Sequence, residues 1–334
     1  MIRFLLGAFA MALVAFIAAA YGSMRYLTDA PGVSYHGVLP ALTTDEAELG
    51  RALARHIGVI AAREHNMAHP DALESVAQYL ETTLADYGYT VNRHPYFVDD
   101  RAVRNLDVII DPVGAAGPAE TIVVGAHYDS ARTAPGANDN ATGTAAVLEL
   151  ARLLRDVRQT ATRRIRLALF VNEEPPYFQT TDMGSVHYAE MLADQRERAV
   201  AMFSLETLGF YSSEPGSQQY PVPFGLVLPS RGDFVAFVGS LGARPLLRQT
   251  VASFRSHSRL PSLAGVAPDV VPGIDWSDHW AFGELGIPSL MITDTAVYRY
   301  PHYHRPTDTP DKIDVDKLAR VVKGIEWVIR DATR

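Results

Sequence analysis

The spacing of apolar residues differs between the two parts of this chain. Residues 44–65 and 70–87 show helical spacing, and residues 89–98 and 104–110 alternate as two strands that suit a hairpin. After residue 120, short apolar strands alternate with helices. The predicted strands there are residues 121–126, 165–171, 200–205 and 289–293, and the predicted helices are 142–154, 184–195 and 315–330. This alternation predicts an α/β fold whose sheet is parallel in its centre and covered by helices on both faces.

The first 25 residues stand apart from this pattern. Residues 4–22 are uncharged and mostly apolar, between Arg3 and Arg25, and at about 1.5 Å per residue they span roughly 28 Å, close to the thickness of a bilayer core. We interpret residues 1–25 as a membrane anchor or a cleaved signal peptide, and favour the anchor because the run exceeds the usual apolar core of a signal. Residues 26–42 are predicted to be a linker. Residues 43–334 are then one domain outside the cytoplasm, either anchored in the cell envelope or secreted.

Composition excludes several kinds of chemistry. The formal net charge is −8, and no run of Lys or Arg is long enough to follow a phosphate backbone, so nucleic acid is not expected as a partner. The chain has no cysteine, which excludes disulfides, cysteine nucleophiles and cysteine-bound zinc. Any metal ion must therefore be bound by His, Asp and Glu.

Polar residues follow each of the predicted core strands. His127 and Asp129 follow the first strand, Glu173 and Glu174 the second, Glu206 the third, and Asp294 the fourth. Ligands of open α/β sheets bind beyond the carboxyl ends of the strands. These side chains are therefore expected to meet in one site.

The adjacent acids Glu173 and Glu174 are the most informative of these signals. An isolated His-x-Asp pair is most often a surface pair, and GANDNATG (residues 136–143) by itself suits a turn followed by a helix N-cap. Two like charges at the end of a core strand, however, cost several kcal/mol to bury without a compensating cation. A carboxylate that binds metal beside one free to take a proton from water is the arrangement that a hydrolase needs.

Six segments, in this order over residues 123–314, resemble the M28 family of co-catalytic zinc aminopeptidases. They are HYDS, GANDNATG, NEEPPYF, FSLETLG, SDHWAF and YHRPTDTPDKID. The resemblance covers about the last two thirds of the chain. It implies an α/β fold with a mixed, mostly parallel central sheet, two zinc ions at the carboxyl edge of that sheet, and peptide substrates with a free amino terminus.

The resemblance also implies a set of metal ligands. His127 and Glu206 are implied for the first zinc ion, and Glu174 and His304 for the second. Asp139 is implied as the bridge between the two ions. Many members of the family have Asp where this chain has Glu206, and the longer side chain is expected to shift the ion or weaken the first site.

Three further roles follow from the resemblance. Glu173 is implied as the general base, Asp129 as the partner of the other ring nitrogen of His127, and Tyr303 as a residue that helps to stabilise the oxyanion. A cis peptide bond between Asp139 and Asn140 is implied as well. His279, in SDHW, is interpreted as part of a helix start and not as a ligand.

Two other functions remain open on the same fold. Glutaminyl cyclases resemble this family but use one zinc ion for an intramolecular acyl transfer, and they do not need the intact HYD motif. A non-catalytic receptor-like ectodomain would lack ligands or the base, whereas this chain has all of them. Residues 209–224 or 260–278, expected to be loops, are the candidates for the pocket that binds the first side chain of a substrate.

Overall fold

One eight-stranded sheet organises the chain in a computed structural model, which describes residues 2–114 and 120–334. The strands are β1 Asn92–Val98, β2 Arg101–Ile110, β3 Thr121–His127, β4 Arg164–Phe170, β5 Ala199–Glu206, β6 Val235–Ser240, β7 Ser262–Ala267 and β8 Ser289–Thr293. Their spatial order is β1-β2-β4-β3-β5-β8-β6-β7. Strands β4, β3, β5 and β8 run parallel in the centre, and the antiparallel pairings are β1 with β2, β2 with β4 and β6 with β8. The predicted mixed, mostly parallel sheet is confirmed.

Helices cover both faces of this sheet. They are α1 Ile2–Thr28, α2 Thr44–Ile60, α3 Pro70–Asp86, α4 Thr142–Leu153, α5 Gly184–Asp194, α6 Arg244–His257, α7 His279–Glu284, α8 Ala296–Arg299 and α9 Val315–Ala332. Because successive strand residues point to opposite faces, Ile122 and Val124 join a large core with α2, α3, α4, α6 and α9, while Val123 joins a smaller one with Tyr188 of α5 and Phe282 of α7. The central strands are therefore buried on both sides, as their uniform apolar composition predicts.

Two parts of the fold differ from the sequence pattern. The helix predicted over residues 44–65 ends at Ile60, because the following turn folds back onto the end of β3: the main-chain N–H of His65 donates to Ser130 Oγ, and the Asn66 amide donates to the Ser130 carbonyl. The pattern also left β6, α6 and β7 without a prediction, and it was wrong to treat all of residues 260–278 as loop. Strand β7, SLAGVA, combines Ala and Gly with few residues of high β propensity, so its pairing with β6 gave little local signal.

The N-terminal helix projects from the domain, but the segment after it does not. In helix α1, residues 11–28 are long and apolar enough to cross a membrane, and none of them is buried within the chain. The predicted linker lies against α6 and β7, where Arg255 donates to the carbonyls of Ala30, Pro31 and Gly32. Residues 30–34 are thus held on the domain rather than extended as a tether.

A buried ion pair joins the β1–β2 edge to the centre of the sheet. The fully buried carboxylate of Asp107, on β2, accepts hydrogen bonds from Asn92, Tyr188 and Arg166. Burial alone would raise the pKa of Asp107, but His94, Tyr188 and Arg166 together lower it below its usual range. The carboxylate is therefore stabilising above the pKa of the unfolded chain, and this contribution is lost as the pH falls through the lower pKa of the folded protein.

We expect Asp107→Asn to destabilise the protein by about 3 kcal/mol at pH 7, since it leaves one side of a buried guanidinium unpaired. At about 2 °C per kcal/mol for a chain of this size, the apparent melting temperature should fall by roughly 6 °C. Asp111→Asn is the matched control, because Asp111 pairs with Arg164 at the surface and its loss should cost less than about 1 kcal/mol. Equal shifts for the two variants would contradict the assignment.

Candidate metal centre

The carboxyl ends of the four central strands lie along one edge of the sheet, and the predicted site residues meet there. His127 is the last residue of β3, and Glu206 is the last residue of β5. Glu173 and Glu174 follow β4 after a two-residue turn. Two loops complete the cluster: Asp139 comes from the turn before α4, and His304 from the loop before α9.

Two imidazoles face the carboxylates at short distances. His127 Nε2 lies 3.4 Å from Asp139 Oδ1 and 3.2 Å from Glu206 Oε2. His304 Nε2 lies 3.1 Å from Asp139 Oδ2 and 3.1 Å from Glu174 Oε2. Each oxygen of Asp139 thus faces a different imidazole, which is the position expected of a carboxylate between two ions. Glu173 Oε2 is 3.8 Å from His127 Nε2, at the side of the cluster.

The backbone around Asp139 is irregular and strongly held. The peptide bond between Asp139 and Asn140 is cis, as the family resemblance implied. Asp308 accepts hydrogen bonds from the main-chain N–H groups of Asn138 and Asp139. The Asn140 side chain accepts from the N–H of Thr207 and donates to the carbonyl of Leu205, so it joins this turn to the end of β5. These contacts fix Asp139 relative to the strand that ends at Glu206.

Asp129 connects β3 to the acids after β4. Its carboxylate accepts hydrogen bonds from the main-chain N–H groups of Glu173, at 3.1 Å, and Glu174, at 3.2 Å. The same carboxylate lies 3.6 Å from His127 Nδ1, and the Asp129 carbonyl oxygen lies 3.1 Å from that nitrogen. Asp129 thus orients His127 and the Glu173–Glu174 backbone together.

Several residues at the edge of the centre have left-handed backbone conformations although they are not glycine. Asn172 (φ 60°) precedes the paired acids, and Thr207 (φ 46°) follows Glu206. His304 itself has φ 53°. Such conformations are uncommon outside glycine and cluster at functional sites, where surrounding contacts keep them in place. The backbone at this edge is therefore shaped to aim side chains inward.

The buried carboxylates strongly perturb the protonation of the centre. Burial raises the pKa of Glu174 and of Glu206 to about 7, and it raises the pKa of Glu173 well above its usual range. Burial lowers the pKa of His304, but its short contacts with the carboxylates of Asp139 and Glu174 outweigh this effect and raise the pKa to about 11. Protons shared among these groups offset part of the negative charge, and a bound cation would displace them.

The residues of the centre fit a divalent metal ion. His127 Nε2, Asp139 Oδ2 and Glu174 Oε1 are buried and have no hydrogen-bond partner within the described residues. Buried polar atoms are rarely left unpaired, so three in one cluster indicate donors arranged to bind a cation. Imidazole nitrogen and carboxylate oxygen are donors that zinc accepts. One atom each from His127, Asp139 and Glu174 also lie within 4.8 Å of one another, as do atoms of His127, Glu173 and Glu206.

Tyr303 lies between the centre and an adjacent apolar pocket. Its ring stacks on that of His304, with centroids 3.9 Å apart. Burial raises the pKa of Tyr303 well above its usual value, and the charge of Asp139 adds to this effect, so the phenol keeps its proton. The other two histidines near these motifs point elsewhere: His279 is paired with the Ile274 carbonyl, and His302 with Thr307.

The apolar pocket has a volume of about 140 Å³ and opens beside Glu206 and Tyr303. Its walls come from Gln218, Tyr220, Pro221, Phe224 and Leu228, from β6, from β7 and the segment after it, from β8 and α8, and from the end of α1. Both segments expected to supply a substrate pocket, residues 209–224 and 260–278, therefore contribute to it. Among its lining side chains are Tyr220, Phe224, Leu263, Trp276 and Met291.

Sequence reasoning assigned no role to three residues that hold the site residues in place. Ser277 Oγ donates to Glu206 Oε2 at 2.8 Å, which steadies the longer acid found at this position. Asp308 and Asn140 fix the turn that contains Asp139. All three lie inside the quoted motifs SDHWAF, YHRPTDTPDKID and GANDNATG, so a signal was present, but not one that specified their partners.

Comparison with known proteins agrees with this geometry. Residues 107–328 match the model of peptidase family M28. The chain is 39% identical over 286 residues to the uncharacterized protein YfbL of Escherichia coli (strain K12), covering 77% of this chain and 87% of that protein. It is 32% identical over 266 residues to the aminopeptidase YwaD of Bacillus subtilis (strain 168), covering 78% of this chain and half of that protein's length.

Solved structures share the fold at lower identity. An aminopeptidase from Aneurinibacillus sp. strain AM-1 superimposes with a TM-score of 0.64 and 18% identity, over 85% of this chain and 94% of that one. The glutaminyl cyclase of Fimbriiglobus ruber superimposes with a TM-score of 0.61 and 19% identity, over 90% of this chain and 99% of that one. At such identities the likeness concerns the fold, which two different chemistries share.

Proposed function

The chain belongs to peptidase family M28, and from that premise we propose that it is a zinc-dependent aminopeptidase that releases N-terminal amino acids from peptides. The main support is the convergence of two imidazoles and three carboxylates from five separate segments around buried, unpaired donor atoms. Such a donor set has no structural purpose without a cation, since the buried acids repel one another.

The residues present could hold two zinc ions. His127 and Glu206 would bind one ion, and Glu174 and His304 the other. Asp139 would contribute one carboxylate oxygen to each, because its two oxygens face different imidazoles. When bound, the pair of ions would supply a water of lowered pKa and polarise the scissile carbonyl.

Glu173 is the residue proposed to move the proton. It is buried, with Oε2 3.8 Å from His127 Nε2, and burial raises its pKa well above the usual range, which makes it a stronger proton acceptor than an exposed carboxylate. It would take the proton of the attacking water and then deliver it to the departing amine. Asp129 would position this base, since it accepts the Glu173 main-chain N–H.

Tyr303 and the apolar pocket would orient the substrate. The protonated phenol of Tyr303 can donate a hydrogen bond to the developing oxyanion. With Asp129 counted, the site has five buried carboxylates, one more than the four positive charges of two divalent ions would neutralise, so a substrate ammonium group would be attracted to it. The pocket beside Glu206 would receive the side chain of the first residue, and its lining favours large apolar side chains.

A panel of substrates tests this function. We expect the purified full-length protein to contain two zinc ions per chain by plasma emission. It should cleave leucyl and phenylalanyl p-nitroanilides with a kcat/KM at least about 100-fold above that for aspartyl p-nitroanilide, because a charged group in an apolar pocket loses its hydration. N-acetyl-leucyl p-nitroanilide, which has no ammonium group, is the control and should not be cleaved.

The same assays separate the other two functions. One zinc ion per chain, with pyroglutamate formed from an N-terminal glutaminyl peptide, would indicate a glutaminyl cyclase. A folded protein that retains no zinc and cleaves no substrate of the panel would indicate a non-catalytic ectodomain.

A further inference from the structure

An uncharged, partly exposed segment lies at the outer end of the apolar pocket. Residues 217–230 contain no Asp, Glu, Lys or Arg. Within them, Val222 is 94% exposed and Leu226 is 85% exposed. Val270, on the neighbouring segment, is also largely exposed. A group of large apolar side chains left in water, with no charge nearby in the segment, indicates a surface that binds another apolar phase.

This segment packs beside the last two turns of the N-terminal helix. Val227, Leu228 and Pro229 line a small cleft whose opposite wall is α1, through Tyr21, Met24, Arg25 and Thr28. The cleft lies at the end of the apolar stretch that is long enough to cross a bilayer. The exposed apolar segment is therefore next to the point where α1 would leave the membrane.

The orientation of α1 on the domain is fixed by arginines of α6. The Arg244 guanidinium stacks on the Tyr26 ring, 3.8 Å from its centroid, and donates to the Tyr26 carbonyl. Arg248 pairs with Asp29, and Arg255 binds the carbonyls of residues 30–32. The end of the helix is thus bound to α6, and Val227, Leu228 and Pro229 lie across the cleft from it.

We propose that residues 217–230 form a membrane-contact loop that rests in the same bilayer that α1 enters. If residues 4–22 span the bilayer core, the helix from Tyr21 to Thr28, about 10 Å long, crosses the headgroup region, where Tyr and Arg are favoured. The membrane-contact loop packs on this stretch, so Val222 and Leu226 lie at the level of the headgroups and the first acyl carbons.

The membrane-contact loop also sets where substrates enter. Thr28, Leu228 and Leu263 line both the cleft at α1 and the apolar pocket beside Glu206. The mouth of the pocket therefore opens at the membrane surface. This part rests on the proposed function: the preferred substrates are peptides held at a bilayer with an apolar first residue, rather than peptides free in solution.

The absence of cysteine allows a direct test in the full-length protein. Single cysteines are placed at Leu226, at Phe16 within α1, and at Phe97 on β1, and each is labelled with NBD in proteoliposomes that contain doxyl-labelled lipid. Phe97 is an exposed apolar control at the opposite edge of the sheet, about 34 Å from β7 at about 4.8 Å per strand. We expect lipid quenching at positions 16 and 226 and little at 97.

Two outcomes would overturn the proposal. One is a label at position 226 that lipid quenches no more than the label at position 97. This holds also if a protein partner shields position 226 from water. The other is a label at position 16 that is not quenched, because α1 would then not be in the bilayer. Neither readout depends on catalysis, so this test stands even if the proposed peptidase function fails.

A second variant tests the consequence for substrates. Leu226→Asp should leave kcat/KM for soluble leucyl p-nitroanilide unchanged, since Leu226 does not line the pocket. It should lower the rate on a vesicle-bound, C-terminally acylated peptide with N-terminal leucine by about 10-fold. Phe97→Asp is the matched control and should lower neither rate. Equal rates of Leu226→Asp and wild type on the vesicle-bound peptide would refute the entry route.

Discussion

Glu173→Gln is expected to produce a folded protein that retains its zinc and has lost peptidase activity by a factor of about 1,000. General acid-base catalysis contributes about 10²–10⁴ to a rate, and glutamine cannot accept a proton. The amide has nearly the same shape as the carboxyl group, and the Asp129 carboxylate still receives the main-chain N–H of residue 173. The loss should therefore appear in kcat, with little change in KM or metal content.

The comparison for this variant is Glu190→Gln, on the exposed face of α5. It removes the same charge from the surface and should retain full activity. Kinetics with leucyl p-nitroanilide and zinc analysis of the same preparations provide the measurement. A Glu173→Gln protein with more than about a tenth of the wild-type kcat would show that another group moves the proton.

Asp139→Ala is expected to remove most of the bound zinc and to reduce activity below detection. Asp139 faces both imidazoles, so in the proposed centre its loss would take one ligand from each ion at once. Of the two imidazoles, Glu206 lies beside that of His127 and not that of His304. Glu206→Ala should therefore release one ion and leave the other. The dialysed proteins are analysed by plasma emission. Wild type should contain two zinc ions per chain, Glu206→Ala about one, and Asp139→Ala fewer than one.

The difference in zinc content between Asp139→Ala and Glu206→Ala shows whether Asp139 binds one ion or both. If Asp139→Ala and Glu206→Ala each lose a single ion, Asp139 is an ordinary ligand of one site and not a bridge. Circular dichroism of each protein should show that the sheet is intact, because Asp139 lies in the turn before α4 and Glu206 is the last residue of β5, so neither side chain is in the interior of the sheet. A wild-type protein that retains one ion after dialysis would point to the cyclase instead.

The centre of the sheet could be predicted because its strands are continuous apolar runs. Strands β3, β4, β5 and β8 are buried on both faces, and each of them is followed by polar residues at the same end. The rule that ligands bind beyond the carboxyl ends then places His127, Glu173 and Glu206 together. Strand order and the antiparallel pairing of β6 with β8 are not local properties, so the pattern of residues did not specify them.

The missed region around β6, α6 and β7 shows where sequence reasoning was incomplete. Leu247, Val251 and Phe254 of α6 are buried at helical spacing, so a signal for this helix was present. Strand β7 offered much less, since its conformation depends on pairing with β6 and on packing against α1. The sequence did not specify the side-chain contacts within the site either, because they join residues that are far apart in the chain. The bond from Ser277 to Glu206 joins segments that are about 70 residues apart.

The placement of Asp129 has a consequence for how this site can change over evolutionary time. One carboxylate receives the main-chain amides of both Glu173 and Glu174 while lying beside the ring of His127. Under the proposed function, a replacement there would disturb metal retention and proton transfer in a single step, so the two properties could not be adjusted one at a time. Change toward new chemistry on this scaffold would therefore be easier at the pocket walls, where side chains such as Tyr220, Phe224 and Leu228 can vary the fit of a substrate without altering a proposed metal ligand.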